Sequence, residues 1–232
     1  MSRNIEIISI EGNIGSGKST ILTELKQYYS DNAHVIFVRE PVDEWENITD
    51  KDGTTMLQKF YNDPKTYSFP FQMMAYISRL KLLKDGVETA LSLNTDKKVV
   101  IITERSLYTD KYVFAKMLYN QGNIEEVCYQ IYTKWFDEFA KLYQIDKIIY
   151  INSSPTICFQ RILNRDRLGE SSIPLDYLIQ CDNYHNEFIE ITTKATTKAT
   201  TKLILNGNID ILKDLGELSR WVKNIDIFIG VH

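Results

Sequence analysis

Cysteine is scarce: Cys128, Cys158 and Cys181 are the only thiols in 232 residues, and no two lie close in sequence. That excludes a disulfide framework and a zinc knuckle, and points to a reducing, cytoplasmic compartment. A basic excess is missing too. Lys and Arg number 27 against 31 Asp and Glu, a net charge of −4, so the chain lacks the footprint of sequence-independent phosphate-backbone binding and no nucleic-acid partner is expected. Long apolar runs are absent. The longest charge-free stretches, Thr66 to Ser78 and Ile148 to Gln160, are broken by Pro and polar residues, short of the roughly 20 apolar residues that span a bilayer, and no membrane partner is expected. The opening MSRNIEIISIEG runs directly into a strand pattern, so a secretory leader is not expected either. Without one, Asn47-Ile48-Thr49 and Asn152-Ser153-Ser154 do not read as glycan acceptors.

What is present is ordinary globular composition, 44% apolar and 25% charged, enough for one sizeable core: a single domain over residues 1–232, or one domain with an inserted lid. Short β-branched runs (Ile5 to Ile10, Val35 to Val38, Val99 to Thr103, Ile148 to Ile151, Leu203 to Leu205) read as buried parallel strands. Between them, Met73, Ile77, Leu80, Leu83, Val87 and Leu91, and then Val127, Ile131, Trp135, Phe139 and Leu142, recur at three- and four-residue spacing and read as crossover helices. The alternation predicts an α/β protein whose central parallel sheet, about five strands, has helices on both faces and binds ligands beyond the strands' carboxyl ends. Thr192 to Lys202 reads TTKATTKATTK, with no bulky apolar position to bury, and is expected to be a solvated spacer.

The first strand runs into Gly12-Asn13-Ile14-Gly15-Ser16-Gly17-Lys18-Ser19, followed by a helical pattern from Thr20. This is G-x-x-x-x-G-K-[ST] in the context it requires, strand before and helix after. Glycines let backbone N–H groups and the helix N-terminus face phosphate oxygens, Lys18 reaches the terminal phosphates, and Ser19 offers its hydroxyl to Mg²⁺. A P-loop nucleoside triphosphate hydrolase fold is expected, with the donor on Gly12 through Thr20. At the second strand's end Arg39-Glu40-Pro41 puts a carboxylate at a ladder stop; taken alone, Glu40 reads at least as readily as a surface residue. At the third strand's end stands Glu104-Arg105-Ser106, where Glu104 fits a metal-holding acid and Arg105 points into the site. Arg161, Arg165 and Arg167 lead into Leu168-Gly169-Glu170-Ser171-Ser172, a lid over residues 161–172 that fits clamping of a transferred phosphoryl group.

Together IEGNIGSGKST, REPVDEW, SFPFQMMAYISRL, ITERSLYTDKYVFAKMLY and the stretch from Arg161 through IPLDYL resemble the deoxynucleoside kinases of the deoxycytidine, deoxyguanosine and mitochondrial thymidine kinase type. The resemblance spans roughly Ile5 to Asn186. It implies ATP-dependent phosphorylation of a deoxynucleoside 5′-hydroxyl in nucleotide salvage, with Mg²⁺ and a homodimer. It implies Glu40 as the base, Arg105 steadying the same hydroxyl, Glu104 and Ser19 around Mg²⁺, and Arg161, Arg165 and Arg167 over the donor. Glu170 and Tyr61 look like the pair on the sugar 3′-hydroxyl, Gln72 the amide on the base edge, and Phe71, Phe114 and Trp45 the pocket walls. Arg79 and Asp110 match the pair that reads the base. A carboxylate accepts from the exocyclic amine of cytosine or adenine and repels the O4 of thymine, so deoxyadenosine, deoxyguanosine or deoxycytidine is expected over thymidine. Two rivals stand beside this reading: a thymidylate-type nucleotide kinase, and a nucleotide-binding module without transfer activity.

Overall fold

The computed structural model describes residues 4–165, 170, 173–194 and 200–231. Among them, five strands form one parallel sheet in the order β2-β3-β1-β4-β5: β1 (Ile5–Glu11), β2 (Val35–Val38), β3 (Val99–Glu104), β4 (Lys147–Asn152) and β5 (Thr201–Asn206). β1 lies at the centre, pairing Ile7 with Ile101 of β3 and Ile10 with Ile149 of β4. Alternate side chains leave opposite faces of a strand, so each face needs its own cover. Ile8, Ile10, Val100, Ile102, Ile149 and Ile151 pack against α1 (Lys18–Tyr28) and α10 (Leu215–Ile229). Ile7, Val99 and Ile101 pack on the other face against α4 (Pro64–Ser92) and α7 (Glu126–Phe139), through Tyr76, Leu83, Tyr132 and Phe136. On that face, Ile148 and Tyr150 meet Phe188 and Ile189 of α9 (Leu175–Lys194).

The expected strands and their parallel pairing are all present. Two sequence expectations change. First, the Thr/Lys spacer is shorter than 192–202: α9 continues through Lys194 and β5 begins at Thr201, with Thr201 and Lys202 paired to Lys147 and Ile148. β5 is an edge strand and both residues are exposed there, so they do not need apolar side chains. Residues 195–199 of the repeat lie outside the described residues.

Second, the apolar positions that mark these two helices are only partly covered by this core. On α7 the buried positions are Tyr132 and Phe136, while Val127, Ile131 and Trp135 are 57%, 42% and 48% exposed, and so is Leu142 beyond the helix at 48%. On α4 the buried seam runs Phe71, Gln72, Ala75, Tyr76, Arg79, Leu83, Gly86 and Ala90, and Ile77 and Leu91 are exposed. On α4, Met73, Leu80, Leu83 and Val87 of the stripe pack on the core, so the exposed apolar stripe is that of α7. Periodicity reports an apolar stripe and cannot tell which side of the helix meets the sheet.

Because every strand is parallel, the turns after Glu11, Val38, Glu104, Asn152 and Asn206 all emerge at one edge. Short helices complete that edge: α2 (Val42–Glu46) after β2, α3 (Met56–Asn62) before α4, and after β3 a continuous run of α5 (Leu107–Thr109), a π-helical turn (Asp110–Ala115) and α6 (Lys116–Asn120). After β4 comes α8 (Pro155–Arg165).

Candidate active site

A cavity of about 480 Å³ opens at that edge, within the roughly 300–1,000 Å³ usual for small-ligand sites. One end is the loop after β1. Gly12 and Gly15 have φ of 145° and 78°, and a Cβ on either would sit 2.7 Å from the Ile151 carbonyl oxygen or 2.6 Å from that of Cys158. Only glycine fits both backbone and space. Asn13 ties the loop to α9 through Nδ2 and the Leu178 carbonyl, 2.8 Å. Lys18 is buried, its Nζ donating to the Asn13 carbonyl at 2.7 Å. Burial first, then the charge of Arg105, lowers its ammonium to a pKa of about 7 against the pull of Glu104 and Glu40. Ser19 donates to Glu104 Oε1 at 2.6 Å, so hydroxyl and carboxylate from different elements stand side by side. Ile14, Gly15, Ser16, Gly17, Ser19 and Thr20 line the same cavity.

Its middle is a cluster of charge. Arg79, 2% exposed, donates from Nε to Asp110 Oδ2 at 2.9 Å, from Nη1 to the Glu104 carbonyl at 2.7 Å, and from Nη2 to Glu40 Oε1 at 3.0 Å. Arg105 Nε meets the same Glu40 oxygen at 3.2 Å. Burial alone raises the pKa of Glu40, but Arg105, Arg79 and Lys18 outweigh it and hold the carboxyl well below its usual range. Asp110 has less help: burial prevails over Arg79 and pushes it up to about 6.

Arg105 has φ of 62°, a left-handed conformation costing a non-glycine residue about 1–3 kcal/mol unless its surroundings impose it. They do. Its N–H bonds to the Ile10 carbonyl at 3.0 Å, and Thr103 Oγ1 donates to its carbonyl at 2.9 Å. Its neighbour Ser106 donates to Glu11 Oε1 at 2.7 Å, and Thr109 to Glu11 Oε2 at 2.5 Å. Glu11 is fully buried and accepts from Ser9 as well. The Arg105 side chain then lies over the Phe114 ring, 4.9 Å from its centroid, with Nη1 donating to the Gly12 carbonyl at 2.9 Å and standing 3.4 Å from His185 Nε2.

The far end is aromatic. Phe71 stacks on Phe60 with centroids 4.5 Å apart, and Trp45 meets Phe71 edge-on while its Nε1 donates to Ser78 Oγ at 2.9 Å. Gln72 is buried beside them with Oε1 lacking a hydrogen-bond partner among the described residues. Asp110 and Phe114 both line the cavity from the π-helical turn, a widened geometry that recurs at functional sites. Tyr61 lines it from α3 against Tyr177; burial, then the charge of Glu170, raises its phenol well above the usual value, so it stays a donor.

The lid arginines are already engaged. Arg161 donates from Nη1 to the Gly207 carbonyl at 2.8 Å and from Nη2 to the Ile209 carbonyl at 3.1 Å. Arg165 pairs with Glu170 through Nε at 2.7 Å and through Nη2. Arg167, with Leu168, Gly169, Ser171 and Ser172, falls outside the described residues. Apart from Arg167, every residue expected from sequence lines one cavity or, for Gly12 and Asn13, braces its floor. Sequence reasoning missed Glu11, Tyr177, His185 and the Ile209–Lys213 stretch of the wall. For His185 a signal existed: Leu178, Cys181, His185 and Phe188 recur at helical spacing, which places this histidine on the buried side of its helix.

Comparison with known proteins identifies the family. The family model for deoxynucleoside kinase matches residues 8–230. A probable deoxycytidine kinase of fowlpox virus is 36% identical over 226 residues, covering 96% of this chain and 88% of that protein. Human deoxycytidine kinase is 35% identical over 208 residues, 83% of this chain and 78% of its own length. The mitochondrial deoxyguanosine kinase of Xenopus laevis is 34% identical over 207 residues, with 83% and 75% covered. A nucleotide-binding loop, a carboxylate gripped by two arginines and an aromatic pocket thus lie in one cavity of a chain that belongs to the deoxynucleoside kinase family, phosphotransferases of nucleotide salvage.

Proposed function

We propose that this kinase transfers the γ-phosphoryl group of ATP to the 5′-hydroxyl of a purine deoxynucleoside or deoxycytidine. The observation that carries it is Glu40: both arginines hold Oε1, and the carboxylate lines the cavity between the phosphate loop and the aromatic pocket. Held ionised, it accepts the hydrogen bond of the 5′-hydroxyl and aims the oxygen at phosphorus. As the O5′–P bond forms and the bond to the β-phosphate oxygen breaks, Glu40 takes the hydroxyl proton, leaving nucleoside monophosphate and ADP. Transfer of this kind depends on positioning and charge stabilisation, which Lys18, the loop N–H groups and Arg105 provide. Glu104 and Ser19 form a hard-oxygen pair suited to Mg²⁺, which keeps most of its ligands as water and phosphate; bound there, it neutralises charge on the donor phosphates. Arg161, Arg165 and Arg167 are assigned to the lid over the donor within a single kinase domain, and Tyr61 and Glu170 to the sugar 3′-hydroxyl.

For the base, the unpartnered Gln72 Oε1 and the Asp110 carboxylate both offer acceptors, the complement of an exocyclic amine. Trp45, Phe71 and Phe114 wall the ring. We also assign a homodimer, because Val127, Ile131 and Trp135 leave α7 an exposed apolar stripe, beside α4 where the Tyr76 hydroxyl donates to the Trp135 carbonyl at 3.2 Å, and such a stripe calls for a second partner. Three free thiols fit a reducing, cytoplasmic setting. No helix of the described residues is long and apolar enough to cross a membrane.

Three tests follow from these assignments. Glu40→Gln should lower kcat by roughly 10²- to 10⁴-fold with nucleoside binding nearly intact; steady-state kinetics with kcat within about threefold of wild type removes Glu40 as the base. Selectivity should depend on pH through Asp110. Burial raises its pKa to about 6, so the acceptor form prevails above that value and a protonated, donating form below it. The ratio of kcat/KM for deoxycytidine to that for thymidine should therefore fall as pH drops from about 7.5 to 5.5. It should be low and flat with pH when Arg79→Met and Asp110→Ala are combined, although overall kcat falls because Glu40 loses one of its arginines; an unchanged ratio in that double variant disproves the base assignment. Finally, sedimentation should give twice the 27.0 kDa chain mass for wild type and a monomer for Ile131→Glu with Trp135→Glu, and a monomeric wild type removes the dimer.

A further inference from the structure

His185 is the one fully buried histidine among the described residues, and the roles assigned above leave it unused. It sits on the inner side of α9 at the back of the Arg105 guanidinium, and its two nitrogens have different neighbours. Nδ1 lies 2.7 Å from the Cys181 carbonyl. A carbonyl only accepts, so Nδ1 carries the hydrogen, and the Nε2 lone pair is left to face Arg105 Nη1 at 3.4 Å. The same Nη1 donates to the Gly12 carbonyl, so its two hydrogens are divided between the phosphate loop and the imidazole. The Phe114 ring closes the remaining side, under the guanidinium and edge-on to His185 at 5.9 Å. Each of these contacts on the back of Arg105 is an uncharged acceptor or a ring face, and among the described residues its one carboxylate partner is Glu40.

We propose that His185 is a positioning residue for phosphoryl transfer, its Nε2 lone pair fixing Arg105 so that the guanidinium's charge is directed at Glu40 and the 5′-hydroxyl. This rests on the roles proposed for Arg105 and Glu40. The choice of side chain follows from charge. A carboxylate at 185 would draw Arg105 away from Glu40, and an aliphatic residue would leave a buried N–H of Nη1 without an acceptor and the guanidinium free to rotate. An imidazole supplies an acceptor with no competing charge. Burial, then the charges of Arg105 and Lys18, keeps the ring neutral.

The test compares His185→Leu, which removes the acceptor, with His185→Gln, whose amide oxygen can stand near the Nε2 position, and runs Glu40→Gln beside them in the full-length protein. His185→Leu should lower kcat roughly 10- to 100-fold while the nucleoside dissociation constant, measured by calorimetry, stays within about threefold; His185→Gln should recover most of the loss. A purely packing role predicts similar losses in both variants and no split between turnover and binding. Nitrogen NMR of the wild-type ring provides a reading that needs no variant: Nδ1 should be protonated and Nε2 should be a hydrogen-bonded lone pair. An Nε2–H tautomer, or a His185→Leu enzyme with wild-type kcat, overturns the proposal. If Glu40→Gln is inactive in that same experiment, the failure belongs to His185 alone; if Glu40→Gln is fully active, the underlying assignment has failed.

Discussion

The buried Arg79 guanidinium is the contact on which the rest of the site depends. It touches Glu40, Asp110 and the Glu104 carbonyl at once, joining the end of β2, the end of β3 and the turn behind it. With Arg105 it makes a group of two cations and two carboxylates, formally neutral, in a place where an isolated charge would be costly. Removing Arg79 leaves Asp110 unpaired, and removing Glu40 does the same to Arg105. This also means that base recognition and phosphoryl transfer share an electrostatic environment, since one side chain meets the carboxylate assigned to each.

That cluster is built by backbone geometry at two strand ends. Arg105 reaches Glu40 only because its residue turns through a left-handed conformation directly after β3, and Glu11 holds that turn from β1 by accepting from Ser106 and Thr109. The phosphate loop begins at the next residue after Glu11. A displacement of β1 along the sheet would move the loop and the Arg105 turn together, which keeps the two parts of the cavity in register. Asn13 and Arg161 extend the same bracing, to α9 and to the stretch after β5.

Much of this was legible in the sequence, for identifiable reasons. β-branched runs between helical patterns have few readings other than a parallel sheet, and parallel pairing then fixes which edge carries the chemistry. The phosphate loop was legible because its glycines answer a local need. Glu40, by contrast, took on meaning through its neighbours: alone it was a carboxylate before a proline, and two arginines from distant segments turn it into part of a site. Glu11 and His185 were missed because their partners lie 95 and 80 residues away, and no local pattern encodes such contacts. The apolar positions of α4 and α7 were seen, but not which of them the sheet covers, since periodicity reports that a face is apolar and says nothing of what covers it.

Those two helices have a double duty that constrains how the pocket can move. α4 presents Gln72 and Arg79 to the cavity while Ile77 and Leu91 lie exposed on its other side, and α7 backs it through Tyr132 and Phe136. A rigid helix cannot shift one face without the other. A partner packed on Ile77, Ile131 and Trp135 would therefore resist exactly those displacements of α4 that move Arg79 away from Glu40 and Asp110. Close packing transmits such constraints because interiors have little free volume to absorb a shift. Covering the outer stripe would thus contribute to the precision of the inner site as well as to the stability of an assembly.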